Sequence, residues 1–145
     1  MRKLALDIGL ARIGVASSHG TLVLPHSALT NDSKSVEAVA NLYAEISANC
    51  CYVGLPLSLS GGHTKSTAMA IEFAAKLADL GLEIRLIDER LTTKSASSAL
   101  RETGRDARNQ KSLIDAATAA VILEFALASE KAGELAGKRL EDVSA

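Results

Sequence analysis

Aromatic residues are scarce in this sequence: two Phe, two Tyr and no Trp, 3% of the chain. A binding surface built from rows of rings stacked against nucleic-acid bases is therefore not expected. Cysteine is equally sparse. Cys50 and Cys51 are the only two, and they are adjacent, which excludes a disulfide scaffold and lacks zinc-ligand spacing. They read as reduced, buried thiols at the start of a strand, in a cytoplasmic setting. An excess of charge of either sign is also missing: 16 Lys and Arg face 17 Asp and Glu, for a formal charge of -1. A polyanionic partner would have to be met by a local concentration of positive charge. No run reaches the ~18 apolar residues of a membrane-spanning helix. The longest candidate, Ala116 to Ala128, is interrupted by Thr118 and Glu124. Asp7 falls where the apolar core of a signal peptide would lie, so secretion is not expected.

What is present suits one globular domain. The 145 residues are 48% hydrophobic and 23% charged, and a chain of this size buries roughly two-thirds of its unfolded surface. Leu4, Leu6 and Ile8 alternate with Lys3, Ala5 and Asp7, the pattern of a strand. Short turns then lead to strands over Ile13–Ser17 and Thr21–Leu24, making an antiparallel meander. Beyond Asn31-Asp32-Ser33 the apolar spacing becomes helical, at Val36, Val39, Ala40, Tyr43 and Ile46. A strand over Cys51–Leu57, a helix over Thr67–Leu80 closed by Gly81, and a strand over Glu83–Ile87 follow. A helix is expected from Thr93 to Leu100, a loop from Glu102 to Lys111 and a last helix from Leu113 to Leu127. Strand–helix–strand alternation calls for parallel pairing. The expectation is an α/β domain over residues 1–128, a mixed five-stranded sheet with helices on its faces, and a loosely ordered tail over 129–145.

Four acids stand out. Asp7 lies inside a strand, where Asp is disfavoured, two residues before Gly9. Asp88 and Glu89 end a later strand; because side chains alternate, only one of them can share a face with Asp7. Asp115 opens the last helix. Singly, each has a plain structural explanation: an Asx turn, a turn cap or surface ion pair, and an acid favoured at a helix N-terminus. Together they place three carboxylates at strand ends and a helix rim, and these repel unless a cation lies between them. Oxygen ligands select Mg²⁺ or Mn²⁺, and two such ions about 4 Å apart suit phosphodiester cleavage.

The positive charge is indeed local. Arg85, Arg90, Lys94, Arg101, Arg105, Arg108 and Lys111 outweigh Asp88, Glu89, Glu102 and Asp106 by +3, which reads either as a solvated polar stretch or as an arm that holds phosphate. The GLPL of Gly54–Leu57, with the loop that follows and Thr64 and Lys65, is a second candidate phosphate site, at a helix N-terminus. His19, His26 and His63 have no metal-ligand spacing.

Four segments, LALDIGLARIGVA (Leu4–Ala16), VGLPL (Val53–Leu57), DERLTT (Asp88–Thr93) and IDAATAAVIL (Ile114–Leu123), occur in an order and spacing that resembles the YqgF family, also called RuvX, a group of Holliday junction resolvase-like proteins. The resemblance covers about Leu4 to Phe125. It implies a ribonuclease H-like fold and a part in maturing the 5′ end of pre-16S ribosomal RNA. It also implies an acidic set at Asp7, Glu89 and Asp115 holding Mg²⁺ or Mn²⁺. Arg12 and Arg90 fall on motif arginines, expected to contact phosphate or to hold the acids; Lys65, Arg101, Arg105 and Arg108 are the further substrate contacts expected. The loop SLSGGHTKS (Ser58–Ser66) departs from the family pattern, which carries an acid and a further Gly there, and Ala117-Thr118 stands where a larger apolar residue and Ala are usual.

The expected activity is thus a metal-dependent nuclease acting on ribosomal RNA precursor, as a monomer or weak homodimer. A four-way DNA junction is the alternative substrate, and a non-catalytic RNA-binding module the alternative class; the presence of all three acids argues against the latter. Phosphate-binding domains of the actin and sugar-kinase type also open with D-x-G, but they work in pairs.

Overall fold

The computed structural model describes residues 2–92, 107–133 and 136–143, with the side chains of 107–116 outside the description. The alternation at the N-terminus sets the architecture. Strand β1 (Arg2–Ile8) sends Leu4, Leu6 and Ile8 into one apolar cluster and Ala5 into another, so the sheet is covered on both faces. Strand β2 (Arg12–His19) runs antiparallel beside it, with Asp7 opposite Gly14 and Ile8 opposite Ile13. Next come β3 (Leu22–Pro25), β4 (Leu29–Thr30), helix α1 (Ser35–Glu45), β5 (Ala48–Leu55), helix α2 (Lys65–Asp79) and β6 (Ile84–Asp88). A single 3₁₀ turn over Glu89–Leu91 follows, then helix α3 (Ala107–Lys131), β7 (Lys138–Arg139) and the one-turn helix α4 (Leu140–Val143). The strand order is β3-β2-β1-β5-β6-β7, with β4 paired to β2. The β1–β5 and β5–β6 ladders are parallel, as the alternation of strands and helices requires.

Val39 of α1 and Ala70, Phe73, Ala74 and Leu77 of α2 pack on Leu4, Leu6, Val53 and Leu86. On the other face, Ala119, Ile122, Leu123 and Ala126 of α3 lie on Ala5, Ala16, Tyr52 and Ile87. The small residues Ala5 and Ala16 let α3 sit close to the centre of the sheet. Each large side chain so buried contributes about 1.5–3 kcal/mol. The Tyr52 hydroxyl, inside this second layer, donates to the Glu130 carboxylate. Thr64 and Thr67 form a reciprocal cap at the start of α2, and Gly81 closes it at φ +96°.

The structure differs from expectation in three places. Among the described residues the mixed sheet has seven strands rather than five, because β4 and β7 are two residues long and too short to leave an alternating pattern. Helix α3 begins at Ala107, inside the stretch read as a loop; the helix expected over 93–100 lies outside the described residues. Finally, residues 136–143, expected to pack loosely, are tied down. Arg85 Nε donates to the Ala136 carbonyl (2.5 Å) and Arg85 Nη2 to that of Gly137 (2.7 Å). Val143 joins the core at 8% exposure. Gly137, at φ +71°, lies so close to the Leu86 carbonyl that a Cβ there would overlap it.

Candidate functional site

Asp7 and Glu89 meet at the carboxyl ends of β1 and β6. Asp7 is on the face of β1 that carries Ala5, toward α3. The chain leaves β1 through a tight hairpin: the Gly9 N–H donates to the Arg12 carbonyl (2.8 Å). A Cβ on Gly9 would stand 2.6 Å from that oxygen, so only glycine fits. The Asn31 side-chain amide donates to the Gly9 carbonyl (2.7 Å), and its backbone N–H to Ala11 (3.0 Å). Sequence reasoning missed Asn31, which it read only as a helix-cap residue. The two-residue strand before it, β4, brings it onto the hairpin.

Glu89 reaches Asp7 because the chain bends after Asp88. The Asp88 carboxylate accepts from the Arg90 N–H (2.9 Å), capping the 3₁₀ turn. The Arg90 guanidinium folds back onto the same carboxylate, Nη2 to Oδ2 at 2.6 Å and Nε to both oxygens at 3.0 Å. These bonds lower the Asp88 carboxyl, against the opposing effect of partial burial, with a smaller contribution from the charge of Lys138. Asp88 therefore serves its own turn, and Glu89 alone of the two joins Asp7.

Between them, on β5, lies Gly54. A Cβ at Gly54 would come within 2.5 Å of Glu89 Oε1, 2.9 Å of Glu89 Cγ and 2.8 Å of Ile122 Cδ1. The carboxylate thus occupies space that any other residue at position 54 would fill. A glycine inside a buried strand marks such close approach, and that was the signal available in the sequence. Burial raises the Glu89 carboxyl first; its hydrogen bond to Asp7 and the Asp7 charge raise it further, to about 9. Burial and the facing Asp7 carboxylate thus favour the neutral form of Glu89.

The remaining expected residues are placed unevenly. Asp115 lies in α3, at helical spacing from Ala119 and Ile122 of the buried stripe, but its side chain is outside the described residues. Among the described residues no group of three His, Cys, Asp or Glu is set to hold a metal ion. Arg12 is half-buried at the start of β2, at the same sheet end as Asp7. The Arg90 guanidinium is committed to Asp88 and donates through Nη1 to the Leu59 carbonyl (3.2 Å). Lys65 is exposed in the first turn of α2, where the Thr64 hydroxyl is engaged by the cap. Arg101 and Arg105 lie outside the described residues, as does the side chain of Arg108.

A carboxyl pair at the ends of β1 and β6, the two strands that flank β5, is the arrangement expected of the motifs at Asp7 and Glu89; Asp115 lies on the covering helix with its side chain outside the described residues. The model of the RuvX family, described as Holliday junction resolvase, matches residues 1–129. The chain belongs to this family. A protein of Leifsonia xyli subsp. xyli named "Putative pre-16S rRNA nuclease" is 43% identical over 135 residues, covering 90% of this chain and 87% of that protein. One of the same name from Clavibacter sepedonicus is 46% identical over 136 residues, covering 90% and 84%. The solved structure of T. thermophilus RuvC in complex with a Holliday junction substrate superposes with a TM-score of 0.59 at 13% identity, over 94% of this chain and 98% of that one. That likeness shows the fold.

The donor set fits a divalent cation. Two facing carboxyls offer hard oxygen atoms to a divalent cation, whose charge would offset the repulsion between them. Gly54 leaves the Glu89 side chain the room to lie there.

Proposed function

We propose that this RuvX-family chain is a divalent-metal-dependent nuclease that cleaves phosphodiester bonds of precursor 16S ribosomal RNA at its 5′ end, in the cytoplasm. The observation that carries this reading is the carboxyl pair of Asp7 and Glu89 over Gly54. The names of the relatives supply the substrate class.

In this reading Asp7, Glu89 and Asp115 would hold Mg²⁺ or Mn²⁺. A bound divalent ion supplies a Lewis acid that polarises the scissile phosphate and lowers the pKa of water. The chain's own residues do the rest. Glu89 would have to give up its proton to hold the ion, so metal affinity would rise with pH up to about 9. The bond from the Arg90 N–H to Asp88 fixes the turn that aims Glu89. The Gly9–Arg12 hairpin, braced by Asn31, fixes the end of β1 beyond Asp7. Positive charge at Arg12, Lys65, Arg101, Arg105 and Arg108 draws in the phosphate backbone, while Arg90 adds a guanidinium at the site's edge.

The test offers a 5′-extended 16S precursor RNA and a four-way DNA junction side by side, with Mg²⁺ or Mn²⁺ and with Asp7→Asn as control. The expected result is RNA cleavage by the wild type that Asp7→Asn lacks. Junction cleavage instead would assign the resolvase activity by which the family model is described. Binding of RNA without cleavage of either substrate would refute the nuclease reading.

A further inference from the structure

A cleft of about 430 Å³ opens along the end of β6, between the loop that follows β5 and the segment 136–143. Its origin lies in the tail. Strand β7 pairs with β6 only at Arg85 and Leu86, and Gly137 packs against Ile87 just before it, so the pairing stops short of Asp88, which lines the cleft. The two bonds from Arg85 to the carbonyls of Ala136 and Gly137 hold the outer wall in place. Asp88 and Arg90, the chain neighbours of Glu89 on either side, both line this cleft. It therefore begins one residue from the carboxyl pair.

The lining is of two kinds. Leu57, Phe125 and Val143 give apolar walls, while Arg90, Lys138 and Asp142 stand among them. Lys138 is near enough to act on the Asp88 carboxyl. The Arg90 guanidinium is pinned by Asp88, and Gly61, at φ +87°, packs beneath it with its Cβ position 3.4 Å from Nη1. A guanidinium plane fixed in this way is a platform for a flat ring. Apolar walls with a ring and a guanidinium for the faces, an acceptor for an edge, and a lysine for phosphate are what an unstacked nucleobase requires. The volume lies at the small end of the usual range of ~300–1,000 Å³ for ligand sites, which suits one nucleoside rather than a duplex. A single base needs one aromatic neighbour, so the scarcity of rings does not oppose it.

We propose that this cleft takes the base of one unpaired nucleotide adjacent to the scissile phosphate. The proposal rests on the nuclease reading for the position of that phosphate. It makes the protein a reader of a single-stranded position at the cleavage point, and a perfect duplex a poor substrate.

The test measures binding separately from cleavage. Short RNA oligonucleotides spanning the 5′ boundary of 16S RNA carry 2-aminopurine at one position at a time and are bound to Asp7→Asn protein, which leaves them intact. One position next to the cut site should change in fluorescence, and the response should need at least tenfold more protein in Leu91→Asp or Lys138→Glu. Both residues are exposed, Leu91 at the cleft mouth, so folding is not at stake. An abasic site at the responding position should weaken binding about tenfold in protein carrying Leu91 and leave Leu91→Asp unaffected. No responding position, or an equal abasic loss in both proteins, overturns the proposal. If the wild type cuts no RNA yet the response persists, the nuclease reading fails and the cleft stands; if it cuts and no position responds, the cleft alone fails.

Discussion

Replacing Glu89 by Gln separates the proton from the shape of the carboxyl pair. Glu89 titrates near 4.5 in an unperturbed chain and near 9 in the folded protein. Between those values the folded state keeps a proton that the unfolded state has released. Stability therefore falls as pH rises through this window, and is fully present only below about 4.5. Each pH unit removes about 1.4 kcal/mol, so about 3 kcal/mol is gone by pH 7. Glu89→Gln keeps the size and the hydrogen bond to Asp7 but cannot titrate. Urea unfolding with EDTA present, at pH 5 and pH 8, reads the difference. The loss between pH 5 and pH 8 is about 4 kcal/mol, so with a slope of about 1–3 kcal/mol per molar urea the wild-type midpoint should drop by about 1–4 M relative to the variant. Titrating groups remote from the pair are common to both proteins and cancel. Mg²⁺ should recover the wild-type loss and leave Glu89→Gln unmoved. Midpoints that shift in parallel across this range would refute the reasoning.

Three further substitutions probe the surroundings. Gly54→Ala puts a Cβ 2.5 Å from Glu89 Oε1; metal-dependent cleavage should fall by about 10²-fold while circular dichroism stays native. Asn31→Ala removes the bond to the Gly9 carbonyl and should cost about 1 kcal/mol in urea unfolding. Gly137→Ala forces an L-residue into φ +71° against the Leu86 carbonyl. It should cost more than about 1 kcal/mol and speed hydrogen exchange at Lys138 and Arg139.

Much of the site was legible because strand alternation is a strong constraint. With Leu4, Leu6 and Ile8 committed to one core, Asp7 had to face the other, and one of Asp88 and Glu89 had to follow. The family motif pointed to Glu89, and the structure adds the reason: Asp88 is drawn into capping the turn that Glu89 begins. Less legible were features made by distant or very short pairings. Strand β4 carries no pattern in two residues, yet it delivers Asn31 to the hairpin after Asp7. Gly133 and Gly137 read as signs of a fraying tail. Both instead take positive φ, and the second lets the chain lie against β6. The pairing of Arg85 with the carbonyls of that tail joins positions 51 and 52 residues apart, beyond the reach of any local rule. The basic segment between Arg90 and Asp115 remains an expectation from charge alone.

The most direct measurement is Mn²⁺ binding followed by electron paramagnetic resonance, on wild type, Asp7→Asn and Glu89→Gln without nucleic acid. A carboxyl pair built for a divalent ion predicts wild-type binding that tightens from pH 6 to pH 8, as Glu89 gives up its proton, and at least a tenfold loss in each variant. Equal binding by all three proteins, or binding indifferent to pH, would mean that the meeting of Asp7 and Glu89 is not a metal site.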